Sequence, residues 1–280
     1  MSIQIDPITG APRLVAPGRT ARLDETDGAC PFCVGSEAAT PHETGRREAR
    51  GSWIARAFPN LYPLTDPHEV LVPTPRHVTS WRDLTLQELT AGLELLLERR
   101  AAPQAPGRYV HVFVNDGVAA GASLEHAHAQ LVVVDHEYGA RLTRLLHGDG
   151  CALCALTASH EAGLEITRSE GLVVLAHPAP RLAGGLIITP ARHEPEPEPG
   201  SSSAASLATS LAAALRATDP ATDINLWLAA DGVDTHWYLE VQPRSANLAG
   251  VELALGIHVC AADPAATAAA GRARLTLLDR

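Results

Sequence analysis

The feature that most constrains this chain is that it reads as one unit written twice. CPFC (Cys30–Cys33) is followed by HEVLVPTPRH, a helical stretch, a strand and EHAHAQLVVV. CALC (Cys151–Cys154) is followed by GGLIITPARH, a helical stretch, a strand and THWYLEVQP. The landmarks recur in the same order and at similar intervals. The chain is therefore expected to hold two tandem copies of one unit, spanning 1–145 and 146–280, with the junction near residues 140–150.

Two cysteines on a short knuckle plus two distant histidines make a tetrahedral Cys2His2 set, the usual ligand field of structural zinc. In the first unit the set is Cys30, Cys33, His77 and His126; in the second it is Cys151, Cys154, His193 and His236. A redox pair or ordinary buried cysteines is the alternative for a single C-x-x-C. Two pairs, each followed by a histidine closing TPRH or TPARH and another beside a strand, favour zinc in both units. Four protein ligands leave no open position, so both metals would be structural.

The chain is acidic, with a formal charge of −10, which argues against a general nucleic-acid binder. Its 22 basic residues are all arginine, so lysine Schiff-base chemistry and a Walker-A lysine are excluded. No run is apolar enough to span a membrane. The opening MSIQIDPITG has no secretory pattern, and the expectation is a cytoplasmic protein.

Thr85 and Glu88 fit a capping box opening a helix to about Arg100, with Leu86, Leu89, Leu93, Leu96 and Leu97 as its inner stripe. A second helix is expected from about Ser202 to Ala217 on Leu207, Leu211 and Leu215, after the extended, solvated EPEPEPGSSS. YVHVFVN (109–115) and DINLWLAAD (223–231) read as matching strands. The alanine-rich tail reads as a terminal helix, and Cys260 as a small core residue.

The segment GASLEHAHAQLVVV places His126, His128 and Gln130 at alternate positions, hence on one face of an extended strand, with Ala127 and Ala129 packed on the other. With His126 given to zinc, His128 is a held imidazole and a competent nucleophile at neutral pH. Phosphorus is its natural electrophile, and Gln130 is placed to donate to a phosphoryl oxygen. The competing reading is a satisfied core histidine. It is weakened by the preceding NDGVAAGAS, where Gly117, Gly121, Ala122 and Ser123 let backbone amides approach a phosphate.

These residues resemble the histidine-triad superfamily, and within it the galactose-1-phosphate uridylyltransferase branch of two fused histidine-triad domains. DPITGAPRLVAPGR is similar to the N-terminal signature of that branch, with Arg19 at the phosphate-approaching position; RAFPNLYP resembles its nucleotide-contact segment through Phe58 and Asn60. VNDGVAAGASLEHAHAQ resembles its loop and active strand and implicates Asn115, Ser123, His128 and Gln130, beside Gly121 of the same loop. The resemblance implies an α+β fold, each unit an antiparallel sheet with packed helices, and assembly as a homodimer. It implies a nucleotidylyltransferase that moves a nucleoside monophosphate between sugar 1-phosphates through a nucleotidyl-His128 intermediate, of the UDP-glucose–hexose-1-phosphate type. Its partners would be a nucleotide sugar and a sugar 1-phosphate. With phosphate or water as acceptor, the same histidine would make a nucleotide-sugar or dinucleotide phosphorylase or hydrolase. A zinc-stabilised nucleotide-binding module without chemistry is the non-enzymatic alternative.

Two departures stand out. The family's active strand commonly reads H-P-H-G-Q, whereas alanine occupies both intervening positions here. In the second unit, Tyr238 and Glu240 stand where His128 and Gln130 stand in the first, so that unit lacks a nucleophile. His68 and the other scattered histidines show no spacing that gives them a partner and read as structural or exposed. GRREARG (45–51) fits either a cover over phosphates or a solvated loop.

Overall fold

The computed structural model describes residues 2–16, 29–102, 105–143, 150–159, 163–231 and 235–278. Arg19 lies outside the described residues. Strands β1 (Ser2–Ile5) and β2 (Pro12–Val15) form an antiparallel hairpin of their own. Next come β3 (Gly45–Ala49), β4 (Ser52–Pro59), β5 (His68–Val72), α1 (Leu86–Ala101), β6 (Arg108–Asp116), β7 (Ala129–Asp135) and α2 (His136–Thr143). A second series holds α3 (Ala152–Ala158), β8 (Glu165–Ser169), β9 (Leu172–Ala176), β10 (Leu186–Pro190), α4 (Ser201–Ala217), β11 (Ile224–Ala229) and β12 (Tyr238–Pro243). Helices α5 (Gly250–Leu255) and α6 (Pro264–Leu278) follow. The class is α+β, as expected.

Strands β3 to β12 form one antiparallel sheet in the order β3-β4-β5-β7-β6-β11-β12-β10-β9-β8. Read inward from its two edges, the sheet has the same strand order twice. The halves meet where β6 pairs with β11, with Phe113 opposite Trp227 and Asn115 opposite Asn225.

Helices α1 and α4 lie side by side on one face. The capping box at Thr85 and Glu88 is formed: Thr85 Oγ1 accepts the Glu88 amide and Glu88 accepts the Thr85 amide. Leu89, Leu93, Leu96 and Leu97 are buried against Val112, Val114, Ala129 and Leu131, and Leu207, Leu211 and Leu215 of α4 complete the same core. Leu86 departs from expectation. As the first residue of α1 it projects past the sheet and is exposed, while Leu95 is buried in its place.

Alternation along each strand separates two faces. Ala127 and Ala129 point into the helix-covered core. On the opposite face, strand register aligns Phe58, Val70, Gln130, Phe113, Trp227 and Glu240 in one row across the sheet. That row joins the candidate site of the first half to its counterpart in the second.

Two more readings are corrected. GRREARG is not a solvated loop. Most of it is edge strand β3, where Arg46 pairs with Glu43 and Glu48, and Arg47 with Glu94 and Glu98. Cys260 is half-buried rather than core, because it follows a segment whose Leu253, Leu255, Ile257 and Val259 are exposed. No helix among the described residues is long and apolar enough to cross a membrane.

Candidate active site and metal centres

The repeat brings its eight expected ligands into two clusters, in each of which the four ligand atoms lie within 4.8 Å of one another. In the first, Cys30 Sγ is 3.5 Å and Cys33 Sγ 3.7 Å from His126 Nδ1, and Cys33 Sγ is 3.4 Å from His77 Nδ1. In the second, Cys151 and Cys154 lie 3.3 and 3.4 Å from His236 Nδ1, and Cys154 lies 3.5 Å from His193 Nδ1. Tetrahedral zinc with ordinary Zn–S and Zn–N bonds puts sulfur and nitrogen ligands roughly 3.5 Å apart, so both clusters have the right size.

The outer nitrogens fit as well. His126 Nε2 is 3.1 Å from the Thr74 carbonyl and His236 Nε2 is 3.0 Å from the Pro190 carbonyl. Donation there fixes the tautomer that leaves Nδ1 with its lone pair toward the cysteines. Burial holds the His126 imidazole at about 4, so it stays neutral. All four cysteines are free thiols, with no disulfide in either knuckle.

His128 sits immediately before β7, in extended chain that continues the strand's alternation; the strand itself begins at Ala129. Its Nδ1 is 2.7 Å from the carbonyl of His126. A carbonyl only accepts, so Nδ1 carries the proton and the lone pair resides on Nε2. The backbone is held too: Trp81 Nε1 donates to the His128 carbonyl at 3.3 Å. Trp81 is held in turn by Asp116, which accepts from its amide and from Ser80 Oγ. Phe32, from the cysteine knuckle, meets the His128 ring edge-on at a centroid distance of 5.5 Å.

His128 and Gln130 line a cavity of about 270 Å³ with Phe32, Phe58, Asn60 and Ser123. Its walls are mainly apolar and aromatic, suited to a flat ring, with a few polar groups among them. Behind them, the buried Arg56 lies under Phe58 and Trp53 and donates to the Pro31 carbonyl and Thr40 Oγ1, fastening the knuckle to β4.

Asn115 and Gly121 lie at the base of the loop after β6. Asn115 Nδ2 donates to the Gly121 carbonyl at 3.4 Å, and its Oδ1 accepts from Asn225 of the second half at 3.0 Å. Gly121 adopts a φ of 89° that favours glycine. Gly117 has a φ of 96° as well, and a Cβ there would also come within 2.2 Å of the Asp223 carboxylate.

Larger depressions exist elsewhere. One of about 530 Å³ is lined by Glu170, Glu194, Glu196 and Glu198, charges that repel a phosphate. Another, of about 850 Å³, lies across the Ser123–Leu124 loop beside Asp83, Asp116 and Asp223. Neither contains His128.

Four contributors escaped the sequence reading: Trp81, Asp116, Arg56 and His68. His68 is buried, and its Nε2 lies 3.1 Å from Gln130 Oε1. The period-two pattern of HEVLV marks it as sharing a face with Val70, but nothing local says that this face adjoins Gln130.

No family model matches the chain. ADP-glucose phosphorylase of Arabidopsis thaliana is 24% identical over 91% of this chain and 87% of its own length. The crystal structure of an ADP-glucose phosphorylase from the same plant, with bound ADP-glucose, gives a TM-score of 0.76 at 24% identity, covering 97% of this chain and 98% of that one. A uridylyltransferase structure gives a TM-score of 0.81 at 25% identity, covering 99% of both chains. This is a tandem histidine-triad fold of the galactose-1-phosphate uridylyltransferase-like kind. Within that fold the second half keeps the sheet order and the Cys2His2 cluster, with Tyr238 and Glu240 in the places of His128 and Gln130.

Proposed function

We propose that the protein is a nucleotidyltransferase that forms a covalent nucleotidyl-histidine at His128. The observation that carries this reading is an imidazole whose Nδ1 is tied to the His126 carbonyl, so that the Nε2 lone pair belongs to a ring lining a cavity beside Gln130. Nε2 attacks the α-phosphorus of a nucleoside diphosphate sugar. The Nε2–P bond forms as the bridging P–O bond breaks, and its electron pair leaves on sugar 1-phosphate, which needs no strong general acid. A phosphate oxygen of the acceptor then takes the nucleotide and regenerates His128. Gln130 donates to the phosphoryl oxygen as charge builds, and Phe58, Asn60 and Ser123 hold the nucleotide with Asn115, Gly121 and Arg19.

The acceptor is a sugar 1-phosphate in the uridylyltransferase reading. Inorganic phosphate is the second reading, and the similarity to an ADP-glucose phosphorylase along nearly the whole chain favours it. Zinc in both Cys2His2 clusters would be structural, pinning each knuckle to its sheet. We further propose that 1–145 and 146–280 are the two repeated units and that the protein works in the cytoplasm. We also propose a homodimer, since the apolar side chains around α5 are uncovered in the single chain.

The test is intact-protein mass spectrometry after separate incubation with UDP-glucose, ADP-glucose and a dinucleoside polyphosphate. A gain of one nucleotidyl group, absent in His128→Gly, is expected and names the base. No gain with any of the three donors would overturn covalent transfer from them. Chasing the labelled enzyme with glucose 1-phosphate against inorganic phosphate then separates transferase from phosphorylase.

A further inference from the structure

His68 is 3% exposed and is not part of the cavity wall formed by His128 and Gln130. The Leu64 backbone amide donates to His68 Nδ1 at 2.8 Å. A backbone N–H cannot accept, so Nδ1 holds the lone pair and the ring proton is on Nε2. That proton faces Gln130 Oε1, 3.1 Å away; Asn60 Nδ2, itself a donor because the Tyr62 amide holds Asn60 Oδ1, lies farther off at 3.3 Å and cannot accept it. The chain of donors thus starts at a main-chain group whose sense is fixed, and it determines which end of the Gln130 amide faces His68. If the amide were reversed, its NH2 would meet the N–H of His68, two donors with nothing to accept.

We propose that His68 is a positioning residue for nucleotidyl transfer: it holds Gln130 by the oxygen and so presents the amide nitrogen to the phosphoryl group attacked by His128. This inference rests on the proposed role of His128 and adds a residue and a direction to it. Gln130 is a long side chain whose amide rotates readily in isolation. Buried between Phe113 and Val70 and gripped at Oε1, it has one orientation before substrate arrives. A donor that is already aimed needs no reorganisation when charge develops, which is where such groups are most effective. His68 touches neither nucleotide nor sugar in this scheme, but it adjoins Asn60, so its loss should slow chemistry through Gln130 while weakening binding no more than removal of the Asn60 side chain does.

The experiment measures the single-turnover rate of His128 labelling and the donor concentration giving half-maximal rate. The proteins are the wild type, His68→Leu, His68→Gln, Asn60→Ala, Gln130→Ala and the His68→Leu/Gln130→Ala double variant. His68→Leu should slow labelling about 10- to 100-fold, with the half-saturating concentration raised no more than in Asn60→Ala. His68→Gln, which keeps an N–H donor near the same point, should recover most of the rate. The double variant should be no slower than Gln130→Ala alone. An unchanged rate in His68→Leu, or losses that multiply in the double variant, would overturn the proposal. An unlabelled wild type would instead sink the role of His128. A measurement on the unmodified protein stands apart from both: nitrogen-15 NMR of the imidazoles should find the His68 proton on Nε2. A proton on Nδ1 would refute the hydrogen-bond direction whether or not any variant folds.

Discussion

The first half places His128 and Gln130 after metal-cluster His126, and the second places Tyr238 and Glu240 after His236. Up to that point the halves agree in strand order, cluster composition and the carbonyl that each histidine faces. Beyond it they diverge in chemistry with little change in shape. The Tyr238 hydroxyl donates to the Leu142 carbonyl at 3.1 Å, and burial pushes its ionisation well above the ordinary phenol range. Glu240 replaces an anchored amide by a buried carboxyl with one oxygen lacking a hydrogen-bond partner. In the proposed mechanism, cluster and sheet belong to folding, whereas the nucleophile and its amide are an addition at two positions.

The sharpest way to break this comparison is to remove the two counterpart side chains in turn. His128→Gly is expected to lower nucleotidyl transfer on the order of 10⁴-fold or more, and Tyr238→Phe to leave it within about twofold. Comparable losses in both would mean that the second half takes part in the chemistry. Next in size are the metal clusters. Cys33→Ser and Cys154→Ser should each reduce zinc, counted by mass spectrometry under native conditions, from two per chain to one. Each should cost several kcal/mol in stability. Only Cys33→Ser should also cripple labelling, because His126 leads directly into His128. Equal effects on labelling would make the two clusters interchangeable supports of a single site.

The smallest effect tests Glu240. Burial raises its carboxyl from the ordinary 4.5 to about 7, against a smaller opposing pull from Arg181. Because the folded value exceeds the unfolded one, this group favours the folded state below pH 4.5. That contribution is lost as pH rises through 7. Glu240→Gln, which restores the residue type of the first half, should therefore gain on the wild type between pH 5 and pH 8. Up to about 3 kcal/mol is expected in urea unfolding. A gap that does not change with pH would show that Glu240 is better solvated than its burial indicates.

The Cys2His2 clusters were legible because zinc ligation demands particular residue types, and the repeat shows them twice. Helices α1 and α4 were legible because a 3.6-residue stripe is a local property. His68 was not: its contact with Gln130 spans 62 residues of sequence and exists only because β5 pairs with β7 in one register. A lone histidine in an apolar strand carries the same signature whether it steadies a catalytic amide or fills space. Leu86 and Cys260 show the converse limit, since an apolar side chain is core only where another element covers it. The arginines of β3 were ambiguous because the α1 glutamates that pair with Arg47 lie far along the chain.

The outer strands of the sheet carry charge, with Arg46, Arg47 and Glu48 on β3 and Glu165 and Arg168 on β8, the kind of edge that resists further strand addition. The inner seam is different in kind: Val112 and Val114 of β6 lie among Leu226 and Leu228 of β11 in the core, Phe113 pairs with Trp227, and the two strands satisfy each other's main chain. Severed from its sequel, the first half would lose the partner of Val112–Asp116 and bare that stretch as an edge, a template for any extended chain. Another first half would match it, because the seam already brings two corresponding aromatic residues, Phe113 and Trp227, face to face. Joining the halves in one polypeptide turns that encounter from an association between molecules into an internal one. The seam then closes at any dilution, and its stickiness is never offered to solvent.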